Sequence, residues 1–271
     1  MTDAIRPAAV AGRFYPNEAN ELERQVREFM PETAKQSAVG IMVPHAGYVY
    51  SGEIAGQVFA GVEVPDTAII LCPNHTGRGS SRIAVLDTGV FRIPGAEIPI
   101  DEELAAAIVR TVPGAAVDPE AHREEHAIEV ELPFLVARNP RIRIVPIVLS
   151  GLSEADAIEL GTALHQLSVA HDREVLVVAS SDMSHYLPDE VCRRIDEVAL
   201  APLLRFDPEG LYRTVRDQQI SMCGYIPATA MLSFARAAGA KVPELKGYAT
   251  SGDAFGDRAR VVGYAGVVVP R

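Results

Sequence analysis

The sequence predicts an α/β fold: one domain with a central, largely parallel or mixed sheet and helices on both faces. Short apolar, β-branched runs of strand length alternate with amphipathic helical stretches, the pattern of a sheet wound between helices. The first two such runs stop abruptly at a proline followed by polar residues, as buried strands entering loops do. No Ser/Gly/Pro-rich linker, low-complexity tract or internal repeat divides the 271 residues, so a single unit over 1–271 is the economical reading.

Leu22, Val26, Phe29 and Met30 recur at helical spacing, predicting a helix from about Glu18 to Met30 that Asn17 caps and Pro31 ends. Strands follow at Val39–Val43 and Ala68–Cys72, and between them Ser51 is placed to cap a helix carrying Ile54, Val58 and Phe59. Ile142–Leu149 and Val175–Ala179 repeat the strand pattern around a helix with Ile158, Leu164 and Leu167. An apolar helix over Ala228–Ala238 and a last strand over Val261–Val269 complete the reading.

Composition narrows the function. With 48% hydrophobic and 23% charged residues the chain has the makings of a packed core. No run of eighteen apolar residues occurs, and the N-terminus lacks the charged-then-apolar order of a signal peptide, so a cytoplasmic protein is expected. Cys72, Cys192 and Cys223 are odd in number and widely spaced, which reads as thiols. A net charge of −11 argues against nucleic acid and membrane surfaces as partners. GxGxxG, P-loop, GxSxG and CxxC motifs are all missing, so no nucleotide cofactor is expected.

The candidate chemistry sits where strands end. In open α/β sheets ligands bind beyond the carboxyl ends of the strands, where His45, His75 and the Asp182–His185 segment all fall. His45 and His75 each lie between a proline and a glycine, in turns able to hold an imidazole rigidly, either as a metal ligand or bonded to a nearby carbonyl. Asp182 beside His185 is either a partner that raises the basicity of a general acid/base or a cap for the following turn. His122 and His126 are four apart, with His126 the one expected to point inward, although the His-Glu-x-x-His order of a zinc protease is absent. Cys72 reads as core and Cys192 as a helix-face residue. Cys223 precedes a helix N-terminus, where a thiol ionises more easily.

With these residues stand Gly12-Arg13-Phe14-Tyr15-Pro16, Pro44-His45-Ala46-Gly47-Tyr48, Pro73-Asn74-His75, Glu125-His126-Ala127-Ile128-Glu129, Ser180-Ser181-Asp182-Met183-Ser184-His185, Met222-Cys223-Gly224 and Ser251-Gly252-Asp253. In order and spacing this set resembles the Memo family over nearly the whole chain. The resemblance implies a fold similar to that of class III extradiol dioxygenases. By it, His45 and His75 take the places of two metal-binding histidines and His185 that of the acid/base. Cys223 replaces the usual carboxylate ligand, and Asp182 assists. One metal ion follows as cofactor, with iron or copper expected ahead of zinc; a thiolate in place of the carboxylate is a softer donor, which favours Cu(I), Zn(II) or more covalent iron. His126 and Tyr48 are expected along the cleft, with a small aromatic ligand or a peptide as its occupant. AMMECR1-like and radical-SAM proteins are the implied pathway partners. A redox or oxygen-handling enzyme, an Fe(II) ring-cleaving dioxygenase and a non-catalytic peptide-binding module are the competing readings, followed by a hydrolase using Cys223 as nucleophile.

Overall fold

A computed structural model describes residues 4–271. The chain runs β1 (Ile5–Arg6), α1 (Ala19–Phe29), β2 (Ala38–Val43), α2 (Tyr48–Ala60), β3 (Thr67–Pro73), β4 (Ile83–Val85), β5 (Val90–Ile93) and β6 (Ala96–Pro99). It continues through α3 (Glu102–Thr111), β7 (Ala115–Val117), α4 (Pro119–His122), a 3-10 turn at Glu129–Glu131, α5 (Leu132–Arg138), β8 (Arg143–Leu149), α6 (Glu154–Ala170) and β9 (Val175–Ser180). The last third is β10 (His185–Leu187), α7 (Asp189–Leu204), α8 (Pro208–Asp217), α9 (Tyr225–Ala237), β11 (Glu244–Thr250), α10 (Ser251–Phe255) and β12 (Val261–Pro270).

The centre of the sheet is parallel, in the order β2-β9-β3-β8. These strands are almost wholly buried, which explains why they read as continuous apolar runs and not as an alternation. Antiparallel strands close both flanks: β12 pairs β2 and also carries β10 and β11, while β4 pairs β8 and is extended by β7. The sheet is therefore mixed, and a separate three-stranded sheet, β1-β5-β6, ties down the N-terminal segment.

Two glycines show that helices cover both faces. Gly40 lies opposite Val269, and a side chain there would collide with Met231 of α9. On β12, Gly266 lies three residues from Val269 and so faces the other way, where its neighbours are Val58 and Ile54 of α2. Gly161 marks the crossing of α6 and α9, where an added Cβ would stand 2.1 Å from the Ala230 carbonyl oxygen. Gly161→Ala is accordingly expected to wedge the helices apart and cost about 1–3 kcal/mol. Urea denaturation reads this directly, and a neutral result would mean that the crossing is slack.

Local start signals needed revision. Helix α1 begins after Glu18, whose side chain makes no cap bond, so Asn17 does not serve as the cap. Helix α2 begins at Tyr48, before Ser51, whose hydroxyl donates to the Ala46 carbonyl at 3.1 Å. Among the described residues no helix is long and apolar enough to cross a membrane.

Because β2, β9 and β3 are parallel neighbours, their carboxyl ends share one edge, with Val43 in register with Ser180. His45, His75 and Asp182 leave the sheet together there. Helix α9 starts at the same edge. Gly224 lets it do so, since any side chain would strike the Ser180 carbonyl oxygen at 2.4 Å.

Candidate metal centre

His45 is nearly fully buried and held at both ends. Its backbone N–H donates to Asp182 Oδ1 at 2.8 Å, and its Nδ1 lies 2.8 Å from Ser180 Oγ. The Ser180 hydroxyl donates its one proton to the Ala127 carbonyl at 2.7 Å, so towards His45 it must accept. His45 therefore carries its proton on Nδ1, and its Nε2 lone pair faces the Cys223 sulfur at 3.3 Å.

His75 reaches the same state through a different partner. Glu125, 1% exposed, accepts from His75 Nδ1 at 2.9 Å and from the His75 backbone N–H at 2.7 Å. A carboxylate only accepts, so Nδ1 is protonated and Nε2 is free, the orientation that carboxylate–histidine–metal triads use. Asn74 shapes the turn: its Oδ1 accepts from the Gly77 N–H at 2.8 Å, and Gly77 takes a φ of 65°.

His126 joins from the loop after α4, with its Nδ1 3.3 Å from Glu125 Oε1 and its ring against Phe14. One ring nitrogen from each of His45, His75 and His126 falls within 4.8 Å of the others. Burial and the neighbouring imidazoles hold His45 well below the usual histidine range. Burial likewise lowers His126, to about 4. Both are neutral at pH 7, the form a metal ligand needs.

Cys223 adjoins this cluster. Its Sγ lies 3.3 Å from His45 Nε2 and accepts from the Asp182 N–H, also at 3.3 Å. Burial and the Asp182 carboxylate push its thiol well up, so it ionises only when a cation lies beside it. The sulfur is in place against His45, but the three-way nitrogen group contains His126 and not Cys223.

The remaining expectations fare differently. Burial raises Asp182 to about 6, but its carboxylate serves the His45 backbone rather than His185. His185 stands half-buried on β10 and its Nδ1 donates to the Ser221 carbonyl at 2.9 Å, which leaves Nε2 free. Beside it Tyr186 takes a φ of 60° where the β10–β12 register shifts, a bulge that re-aims the strand at this point. Tyr48 is not a cleft residue: it is 3% exposed and its hydroxyl donates to the Val130 carbonyl at 2.7 Å, among Tyr15, Phe29 and Phe134. His122 and His126 share no helical face, because α4 ends at His122; and it is His122 that is the more deeply buried, bonded to the Ala84 carbonyl.

A family profile described as Memo-like protein matches residues 6–268. The chain belongs to the Memo family. A MEMO1 family protein of Archaeoglobus fulgidus is 39% identical over 264 residues, covering 97% of this chain and 99% of its own. One from Methanosarcina barkeri is 38% identical over 268 residues, covering 98% and 100%. Among solved structures, an uncharacterized Escherichia coli K12 protein has the same fold, with a TM-score of 0.56 at 15% identity over 83% of this chain and 98% of that one. Within this Memo-family site, Glu125 and Ser180 stand in the motif segments but the sequence assigns them no role, and it gives no sign of Glu131; the roles of all three depend on partners some 50 residues away.

Proposed function

We propose that this Memo-family protein binds one metal ion between His45, His75 and His126, with Cys223 as the adjoining sulfur donor, and uses it for redox or oxygen-handling chemistry. The convergence of three imidazole nitrogens, one each from His45, His75 and His126, within 4.8 Å carries the reading. The donor set fits: both His45 and His75 have their Nδ1 protons committed elsewhere, so their remaining lone pairs are available. Imidazoles with a thiol suit iron, copper and zinc alike, and of these only iron or copper would supply electron transfer or oxygen activation.

The chain's own residues set the rest. Glu125 and Ser180 fix the two rings, and His185, with Nε2 free, is placed to hold or move a proton on a ligand at the mouth. Phe14 against His126 gives a wall suited to a small aromatic ligand. Ring-cleaving dioxygenase chemistry has less support, because both oxygens of Glu125 already serve His75, and Asp182 serves His45. A reducing cytoplasm suits three free thiols.

Metal content of the purified protein, by mass spectrometry, tests the proposal. One ion per chain is expected, lost in His45→Ala, His75→Ala and His126→Ala and reduced in Cys223→Ser. Equal retention in all four variants would sink it, and full retention in His126→Ala with loss in Cys223→Ser would move the third ligand to the thiol.

A further inference from the structure

We propose that a second site, beside the histidine cluster but separate from it, binds a small oxyanionic ligand, a carboxylate or phosphate compound, through Arg13 and Arg123. The seat is a cavity of about 980 Å³ between the N-terminal segment, the loop after β3 and helix α4. That is the size of a small-molecule site.

Charge identifies the ligand class. Four arginines line the cavity (Arg6, Arg13, Arg78 and Arg123) against two glutamates, Glu120 and Glu124, in a chain whose net charge is −11. Arg6 is unavailable, because Glu129 neutralises it and the His122 and Glu125 carbonyls take its other protons. Arg78 is paired with Glu124 at 3.0 Å. Arg123 is held only loosely, 3.6 Å from Glu120, and both of those side chains are largely exposed. Arg13 has no carboxylate partner among the described residues. One guanidinium is thus left over and another is readily recruited. Their planar forks match the paired oxygens of a carboxylate or phosphate. Ile5, Pro7 and Leu86 offer an apolar wall for a carbon skeleton.

The cavity also borders the histidines. Thr76 on its wall follows His75, Glu124 precedes Glu125, and Arg13 precedes Phe14, which packs on His126. Arg13 is close enough for its charge to disfavour protonation of His126. A ligand seated here would lie next to the cluster, yet its recognition does not rest on metal.

Calorimetric titration of the full chain with citrate and with pyrophosphate tests the site. The expected result is saturable binding of at least one probe at one per chain, with the better probe assigning carboxylate or phosphate. Each of Arg13→Gln and Arg123→Gln should weaken it about tenfold, the loss of one charge-assisted hydrogen bond. Arg141→Gln, an exposed arginine paired with Asp66, should leave it unchanged. His45→Ala should bind as the parent does, which separates this site from the metal reading. No saturation by about 10 mM with either probe overturns the proposal. So does parental affinity in Arg13→Gln, or loss of binding in His45→Ala alone.

Discussion

Glu129→Ala is expected to destabilise the fold by about 3–5 kcal/mol, because it strands a buried guanidinium. Glu129 is 0% exposed and binds Arg6, the backbone N–H groups of Ala9 and Val10 at 2.8 and 3.0 Å, and the Tyr15 hydroxyl at 2.6 Å. Burial and this carboxylate together hold the Tyr15 hydroxyl far above its ordinary pKa, as a donor that never ionises. Removing the carboxylate takes that acceptor from one cation and three donors that are largely shielded from water. The exposed pair Arg24–Glu28, 3.9 Å apart, is worth only about 0–1 kcal/mol by comparison. For a chain of this size the loss corresponds to a fall in Tm of roughly 10 °C. Thermal and urea melts measure it, and a loss below about 1 kcal/mol would show that water or a rearranged Arg6 takes over. The segment carrying Arg13 and Phe14 depends on the same carboxylate, so the wall against His126 should loosen too.

How much of this was legible in the sequence depends on how local the cause is. Strands β2, β3, β8, β9 and β12 were visible because burial on both faces leaves an unbroken apolar run. Strands β4 to β7 have only three or four residues each, too short for a period to register. His45 and His75 stood out through their Pro and Gly neighbours and their place after strands. Tyr48 sits in the same turn, but only the fold reveals that it points into the core, onto the Val130 carbonyl. Glu125, Glu129 and Glu131 carry no local sign of burial, yet all three are buried. What buries them is a set of acceptor duties to His75, Arg6 and Ser180, set by tertiary structure alone.

Glu131 carries the second large effect, and its sign is opposite to that of Glu129. It is 0% exposed, has no cationic partner among the described residues, and lies 3.1 Å from Ser180 Oγ. Ser180 gives its only proton to Ala127 and accepts from His45 Nδ1, so its remaining lone pair calls for a donor. Glu131 is that donor when protonated: burial raises its pKa well above the ordinary value, the Ser180 contact opposes this, and repulsion from Asp182 adds a smaller rise. Above the unfolded carboxyl pKa the folded chain holds this proton and the unfolded chain does not. Stability therefore falls as pH rises, by about 1.4 kcal/mol per pH unit over the range where only the folded state is protonated. Glu131→Gln keeps the donor and removes the titration. It should leave stability near the parent's at pH 4.5 and raise it progressively towards pH 8. Asp182, also raised by burial, titrates in both proteins and faces a neutral residue 131 in each for as long as Glu131 keeps its proton. Urea denaturation at the two pH values decides: an equal loss at both would mean that Glu131 is ionised in the fold, and that Ser180 turns its proton away from Ala127.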